Sequence, residues 1–267
     1  EGDGLKIKEI IKRGPFAVKK NEVTPGSIIE KIDGTDIKAG EDYNALLDGK
    51  AGKNIRLTIK NAKGKRFDLT IKAISQGAQQ ELLYKRWVDR NRAIVDSVSH
   101  GRIAYVHVKA MNSESFRTVY SELLSEKNRT KDAVIVDERH NGGGWLHDDL
   151  CTLLSGKQYQ EFVPHGKVVG KDPFNKWTKP SCVLICEDDY SNGHGFPWVY
   201  KELGIGKLIG APVAGTMTAV WWETLMDRSL VFGIPQVGCR DMRGTFGENT
   251  TLQPDIEVYN SPEDYIT

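Results

Sequence analysis

Cysteine is scarce in this chain, with four in 267 residues. Cys151, Cys182, Cys186 and Cys239 are too few to staple a chain of this length, which excludes a disulfide framework. Cys182 and Cys186 fall on one expected strand, sharing a face ~13 Å apart, too far to bond without a bend. Both are expected to be buried free thiols. An excess of one charge is lacking too: 37 Lys+Arg face 36 Asp+Glu, for a net charge of +1. That removes the bulk electrostatic footprint of a nucleic-acid or membrane-surface partner, and neither is expected. No apolar run approaches the length of a membrane span. The start shows neither a signal-peptide pattern nor an initiator methionine. The chain opens Glu1-Gly-Asp-Gly and stops at Asp264-Tyr-Ile-Thr267, so a piece of a longer protein is expected. The 39% apolar and 27% charged content is that of an ordinary globular protein. Its length suits one large domain or two smaller ones.

Residues 1–75 are rich in short strands. Leu5 to Ile11 alternates apolar and charged residues, the pattern of a half-buried strand. Gly26 to Ile32 reads as a strand running into an Asp33-Gly34 turn. Glu41 to Leu47 reads as a short helix. Ile55 to Lys60 and Phe67 to Lys72 read as strands joined by a hairpin turn at Asn61 to Lys65. Together they predict a small β-sandwich with one or two helices. The stretch Pro25-Gly-Ser-Ile-Ile-Glu-Lys-Ile-Asp-Gly-Thr-Asp-Ile37 resembles the core of a PDZ domain of the bacterial protease type. That resemblance implies capture of a peptide C-terminus by strand addition. A module that only spaces or orients its neighbour is the equal alternative.

Residues 76–100 form a helical linker in this reading. Ser75 to Gln80, small and polar, is the linker proper, and Glu81 to Ser99 an amphipathic helix or helix pair. Residues 101–267 alternate strands and helices, which argues an α/β core. Strands are expected at Arg102 to Lys109, Asp132 to Arg139, Gln158 to Val163 and from Lys207, with a hairpin limb at Ser229 to Val237. Helices are expected at Ser113 to Lys127, opened by a Ser/Glu capping pattern, and leading to Leu154.

The stretch Cys182 to Gly204 organises the rest. Val183 to Cys186 reads as a buried strand, Glu187 to Tyr190 as a turn, and Phe196, Val199, Tyr200 and Leu203 recur at helical spacing. Ser191 therefore stands where a strand meets a helix N-terminus, whose backbone N–H groups favour a developing oxyanion. On this stretch alone a simple helix cap is the preferred reading. A second junction is Asn141-Gly-Gly-Gly144, whose glycines permit positive φ and close approach of N–H groups to a ligand. It has no Walker lysine and no full dinucleotide fingerprint. An oxyanion hole is the sharper reading, a tight structural turn the plainer one. Among the histidines, His107 is expected in strand packing and His100 and His165 in solvent. His147 with Asp148, Asp149 and Cys151 does not converge as a metal set. His194 is too near Ser191 along one helix to be an in-line base. His140, beside the glycines, is the best base within the chain on proximity. No metal and no cofactor are expected. Trp145, Trp221 and Trp222 are expected in the core, with a pocket lining as the alternative.

Three motifs carry a wider resemblance: Val134-Ile-Val-Asp-Glu-Arg-His-Asn-Gly-Gly-Gly144, Ser191 to Gly210, and Gly247-Glu-Asn-Thr-Thr-Leu-Gln-Pro-Asp255. With the PDZ-like module before them, they are similar to the C-terminal part of tricorn-type serine peptidases, relatives of the carboxyl-terminal processing peptidases. The resemblance spans nearly the whole chain. It implies a crotonase-like (ClpP-like) core of repeated ββα units and peptide hydrolysis through an acyl-enzyme. By position it implies Ser191 as nucleophile, the N–H groups of Gly144 and Asn192 as the oxyanion hole, and Glu248 as the acid that orients the catalytic imidazole. Without it, Glu248 reads as a solvated loop residue. The implied partners are peptide substrates, the missing N-terminal part of the same protein and further copies in a homo-oligomer. The implied setting is cytoplasmic, with export to a periplasm as the alternative.

Two departures refine this. Relatives with a serine–lysine dyad carry a lysine in the Gly-Thr-x-Thr region, which here reads Gly215-Thr-Met-Thr-Ala-Val-Trp-Trp222 without one. The histidine-using branch fits better, and its catalytic His precedes the PDZ module. That histidine is expected outside this chain, which alone should be nearly inactive, and none of the six present takes its place. Asn192 stands where archaeal relatives carry Asp, a change that leaves the backbone donor intact. The competing expectation is a peptide-binding scaffold with an inert peptidase-like core.

Overall fold

A computed structural model describes residues 3–17 and 23–265. The chain divides into two compact units, Glu1–Arg90 and Asn91–Thr267.

The first unit is an antiparallel sheet. Strands β1 (Leu5–Lys6), β2 (Ile28–Ile32), β4 (Asn54–Lys60) and β5 (Arg66–Lys72) lie in that order, and β3 (Thr35–Asp36) pairs with β2. In β4, Ile55, Leu57 and Ile59 are buried on one face while Asn54 and Arg56 face out, the period-two pattern read from the sequence. They pack with Ile32, Ile37 and Leu69 in one apolar cluster. The β2–β3 turn is the expected Asp-Gly pair: Asp33 and Gly34 have φ of 49° and 89°, the conformation whose twist matches a hairpin. Two expectations shorten. The Leu5–Ile11 strand ends after Lys6, with only Ile7 still bonded to Gly26 and Ser27. The Glu41–Leu47 helix is a single 3₁₀ turn, Tyr43–Leu46, capped by Asp42 through the Asn44 N–H at 2.9 Å. So short a segment gains too few hydrogen bonds to offset helix nucleation.

Helix α1 (Gln76–Val98) replaces the expected linker over residues 75–80. The physical reason is Ser75, whose Oγ accepts the Ala78 N–H at 3.2 Å and starts the helix there. Ser75→Ala is expected to lower the stability of this helix by about 0.5–1 kcal/mol, read from urea unfolding followed by circular dichroism. None of the helices among the described residues is long and apolar enough to cross a membrane.

The second unit is built on a parallel sheet. Its strands are β6 (Ile103–His107), β7 (Ala133–Asp137), β10 (Ser181–Ile185), β11 (Lys207–Gly210) and β14 (Ile256–Glu257), in the order β14-β11-β10-β7-β6. Helices α2 (Ser113–Leu123) and the short α3 (Glu126–Arg129) connect β6 to β7, α4 (His147–Leu154) follows β7, and α5 (Asn192–Glu202) connects β10 to β11. Two antiparallel pairs interrupt the alternation: β8 (Gln160–Phe162) with β9 (Gly170–Asp172), and β12 (Ala219–Thr224) with β13 (Val231–Val237). Val106, Val136, Val183, Ile185 and Leu208 from the strands close a core with Leu150, Phe196 and Tyr200 from the helices. The single helix expected from Ser113 to Lys127 is two. Asn112, not a Ser/Glu box, caps α2 through the Ser115 N–H at 2.9 Å, and Ser125 caps α3. The expected core tryptophans are a correction: Trp145, Trp221 and Trp222 are 66%, 58% and 67% exposed. All four cysteines are free thiols, Cys151 and Cys186 buried and Cys182 half-buried.

Candidate active site

β7 and β10 are parallel neighbours, with Val183 beside Val136 and Leu184 beside Asp137. The loops that leave them therefore emerge at the same sheet edge, where open α/β sheets place their sites. One loop carries Asn141 to Gly144 into α4. The other carries Cys186 to Ser191 into α5.

Ser191 has φ 56° and ψ −118° and makes no side-chain capping bond with α5. A helix cap has extended backbone and an oxygen on the first turn. Ser191 has neither, so the helix-cap reading is corrected. A serine is held in this sparsely populated region only where its surroundings over-determine it. The constraints are visible. The Ser191 N–H donates to Thr216 Oγ1 at 3.0 Å, and the Tyr190 N–H to the Asn141 carbonyl at 2.9 Å. Buried Asn141 in turn fixes the glycine loop. Its Nδ2 donates to the Val108 carbonyl at 2.8 Å, and its Oδ1 accepts the Gly143 N–H at 2.9 Å. Asp189 ties the two loops together, accepting the Asn141 N–H at 3.1 Å and the Cys186 N–H at 2.8 Å. Burial pushes the Asp189 carboxyl up to about 7 despite those donors.

The glycines are required by contact. A Cβ on Gly143 (φ 91°) would lie 2.6 Å from Ser191 Cβ and 2.9 Å from the Asn192 nitrogen. The glycine loop thus runs directly against the serine turn. Gly144, Ser191, Asn192 and Glu248 all line one cleft of about 800 Å³. Neither the Gly144 nor the Asn192 N–H has a hydrogen-bond acceptor among the described residues. Glu248 Oε2 accepts the Met217 N–H at 2.9 Å and the Thr218 N–H at 2.8 Å. Hydrogen bonds from the Thr218 side chain and backbone hold this carboxyl below the usual range, so it is a carboxylate at neutral pH.

The histidines sort by environment. His107 is buried on β6 with Nε2 3.2 Å from the Arg139 carbonyl oxygen, as expected for packing. His100 and His165 are exposed. His194 is buried in α5, its ring parallel to that of Trp198 at 6.3 Å. His140 is a correction: it does not line the cleft, and its Nδ1 meets Asp188 Oδ2 at 2.9 Å. His147 alone among the described histidines lines the cleft. Its tautomer follows from its contact with Asn192. Asn192 Oδ1 accepts the Leu146 and His147 N–H groups at 2.7 and 3.1 Å, so the amide nitrogen must face His147 Nδ1, at 2.8 Å. Nδ1 is then an acceptor, which places the proton of this tautomer on Nε2.

The bonding roles of Thr216, Asn141, Asp189 and the side chain of Asn192 were not legible. Their contacts join positions 25, 48 and 46 residues apart, with no local signal in the sequence.

Along the chain, an antiparallel β unit is followed by a parallel α/β unit whose cleft lies at the strand ends. Residues 102–258 match the family model described as peptidase family S41, and residues 6–76 match the tricorn protease PDZ domain. The chain belongs to peptidase family S41, a family of serine peptidases. It is 28% identical over 243 residues to the tricorn protease of Thermoplasma acidophilum, an alignment covering 91% of this chain and 22% of that protein. It is 28% identical over 190 residues to a tricorn protease homolog of Saccharolobus solfataricus, covering 69% of this chain and 17% of the homolog. Among solved structures, a crystal structure of the tricorn protease superimposes with a TM-score of 0.84 at 26% identity, covering 100% of this chain and 26% of that one. The chain thus spans about a fifth of the length of these two curated relatives.

Proposed function

We propose that this chain is the PDZ and nucleophile-bearing part of a tricorn-type serine peptidase that trims or degrades oligopeptides. Ser191 Oγ attacks the scissile carbonyl. The Gly144 and Asn192 N–H groups hold the oxyanion, and collapse of the tetrahedral intermediate releases the amine and leaves an acyl-Ser191 that water hydrolyses. Glu248 orients an imidazole supplied from outside this chain, which takes the Ser191 proton and returns it to the leaving amine. The observation that carries this reading is the strained, uncapped Ser191 in one cleft with two N–H groups lacking acceptors. The engagement of His140 with Asp188 supports a base from elsewhere. In this reading residues 1–75 are a PDZ module that receives peptide C-termini and 76–100 a helical connector. Residues 101–267 are the crotonase-like catalytic core of a homo-oligomeric parent.

Without its base the chain retains only oxyanion and binding effects, about 10³–10⁴ over water. A fluorophosphonate probe tests the assignment. The full-length parent is expected to label on Ser191, located by peptide mass spectrometry, and this chain alone only at a trace rate. Rapid labelling of Ser191 in the isolated chain would place the base within it. Labelling of another serine in the parent would remove Ser191 as nucleophile.

A further inference from the structure

The two junction loops meet a second time, at a cluster that does not line the cleft and that the proposed chemistry does not use. His140, on the turn after β7, is held at φ 69°. Cys186, the first residue after β10, is buried, and Asp188 two residues on is exposed. His140 Nδ1 lies 2.9 and 3.1 Å from the Asp188 carboxylate oxygens and 3.9 Å from Cys186 Sγ, and that thiol donates to Asp188 Oδ1 at 2.7 Å. The donor atoms of all three fall within 4.8 Å of one another. The His140 backbone N–H also donates to Cys186 Sγ at 3.1 Å. Such a bond stabilises negative charge on sulfur and is the outer support a metal-bound thiolate needs.

The geometry points to a binding site for one thiophilic divalent cation of the zinc class, with His140 Nδ1, Cys186 Sγ and an Asp188 carboxylate oxygen as its protein ligands. Zinc bonds of about 2.0–2.3 Å set tetrahedral ligand edges of roughly 3.4–3.6 Å. The imidazole–sulfur separation of 3.9 Å is already near that edge. The two carboxylate separations must open by less than ~1 Å to reach it, and Asp188, 61% exposed at its side chain, has room to turn outward. His140 is 56% exposed on the same side, which leaves an entry path and a fourth position for water. A thiolate, an imidazole and one carboxylate select Zn²⁺ or Co²⁺ over Mg²⁺ and Ca²⁺. Binding exchanges the Cys186 thiol proton for the metal. The proton leaves to solvent and no electron moves. Asp189, with Oδ1 3.4 Å from Cys186 Sγ, is already engaged by two backbone N–H groups and supports the thiolate's loop rather than ligating. The ion would tie the turn that feeds the glycine loop to the turn that feeds Ser191. The site itself does not depend on the peptidase assignment. Sequence spacing does not announce it, because His140 and Cys186 are 46 residues apart.

Titration of the metal-free chain with Co²⁺ tests it. Expected are a 1:1 near-ultraviolet thiolate-to-cobalt band, its loss on adding Zn²⁺, and its persistence in excess Mg²⁺. Cys186→Ser is expected to abolish the band. Asp188→Asn and His140→Gln, both at exposed side chains, should weaken Co²⁺ binding by at least the ~10-fold that loss of an outer support costs. Zn²⁺ should raise the melting temperature of the wild-type chain and leave that of Cys186→Ser unchanged. No thiolate band at millimolar Co²⁺, or a band that survives Cys186→Ser, overturns the site. So does a band that both exposed-residue variants retain at wild-type affinity.

Discussion

Gly144→Ala is expected to lower the kcat of the proposed peptidase by about 10²–10³-fold, the effect of losing one of its proposed oxyanion donors. The cause is steric and local. Gly144 has φ 131°, a region that L side chains rarely adopt, and an added Cβ would stand 2.2 Å from the Met111 carbonyl oxygen. That obstacle is backbone and cannot swing aside. The Met111 carbonyl also accepts the Trp145 N–H at 2.7 Å, and the Met111 N–H donates to the Gly143 carbonyl at 3.0 Å. Relieving the clash therefore breaks this short bridge and moves the Gly144 N–H out of the cleft. The strain and the lost bonds should cost the chain about 1–3 kcal/mol as well, visible in urea unfolding. Gly142→Ala is the control, since a Cβ there meets nothing within 4 Å and its φ is not positive. It is expected to leave turnover within a few-fold of wild type. Equal rates for the two variants would remove the Gly144 N–H from the mechanism. A KM change without a kcat change would assign Gly144 to ground-state binding instead.

The same residues show what a sequence can and cannot reveal about such a site. Local physics was readable. The Asp33-Gly34 turn, the alternating β4 strand and the strand–turn–helix around Ser191 follow from short-range patterns, and the structure has all three. The position of Ser191 was legible, but its state was not. Whether a serine before a helix caps it depends on its φ, and that is set by Thr216, Asn141 and Gly143 through contacts distant in sequence. Glu248 is a similar case. As a loop residue it reads as solvated, and only the approach of the Met217 and Thr218 N–H groups makes it a held carboxylate in the cleft. The exposed tryptophans mark the opposite limit. Composition assigns large aromatics to cores, yet Trp145 and Trp222 line the cleft, and burial is a property of the assembled fold. Helix ends erred where one side chain decides: Ser75 starts α1 early, and Ser125 starts a new helix inside the segment read as one.

Glu138→Gln is expected to stabilise the chain at pH 8 by about 1–3 kcal/mol while changing little at pH 4. Glu138 follows the last residue of β7 and is fully buried, and neither of its carboxyl oxygens has a hydrogen-bond partner. Burial first, and then the charges of Asp189 and Asp137, push its pKa well above the ordinary glutamate value. The sign follows from proton counting. Below the unfolded chain's value of about 4.3 the carboxyl is protonated in both states and stability is independent of pH. Above it the unfolded chain ionises and the folded chain does not, so folding retains a proton that unfolding releases, and stability falls as pH rises toward the folded value. The amide keeps the shape and cannot ionise, which removes this loss. Asp189, pushed up to about 7, adds its own fall between roughly pH 4 and 7, and because its charge also raises Glu138 the two titrations are coupled. Urea unfolding from pH 4 to 9 should give two curves that coincide at the acid end and diverge steadily upward. Parallel curves would mean that the Glu138 carboxyl is solvated or paired as an anion in the folded chain. The outcome bears on the site, because the Asp189 charge that raises Glu138 belongs to the carboxyl that accepts the Asn141 and Cys186 N–H groups.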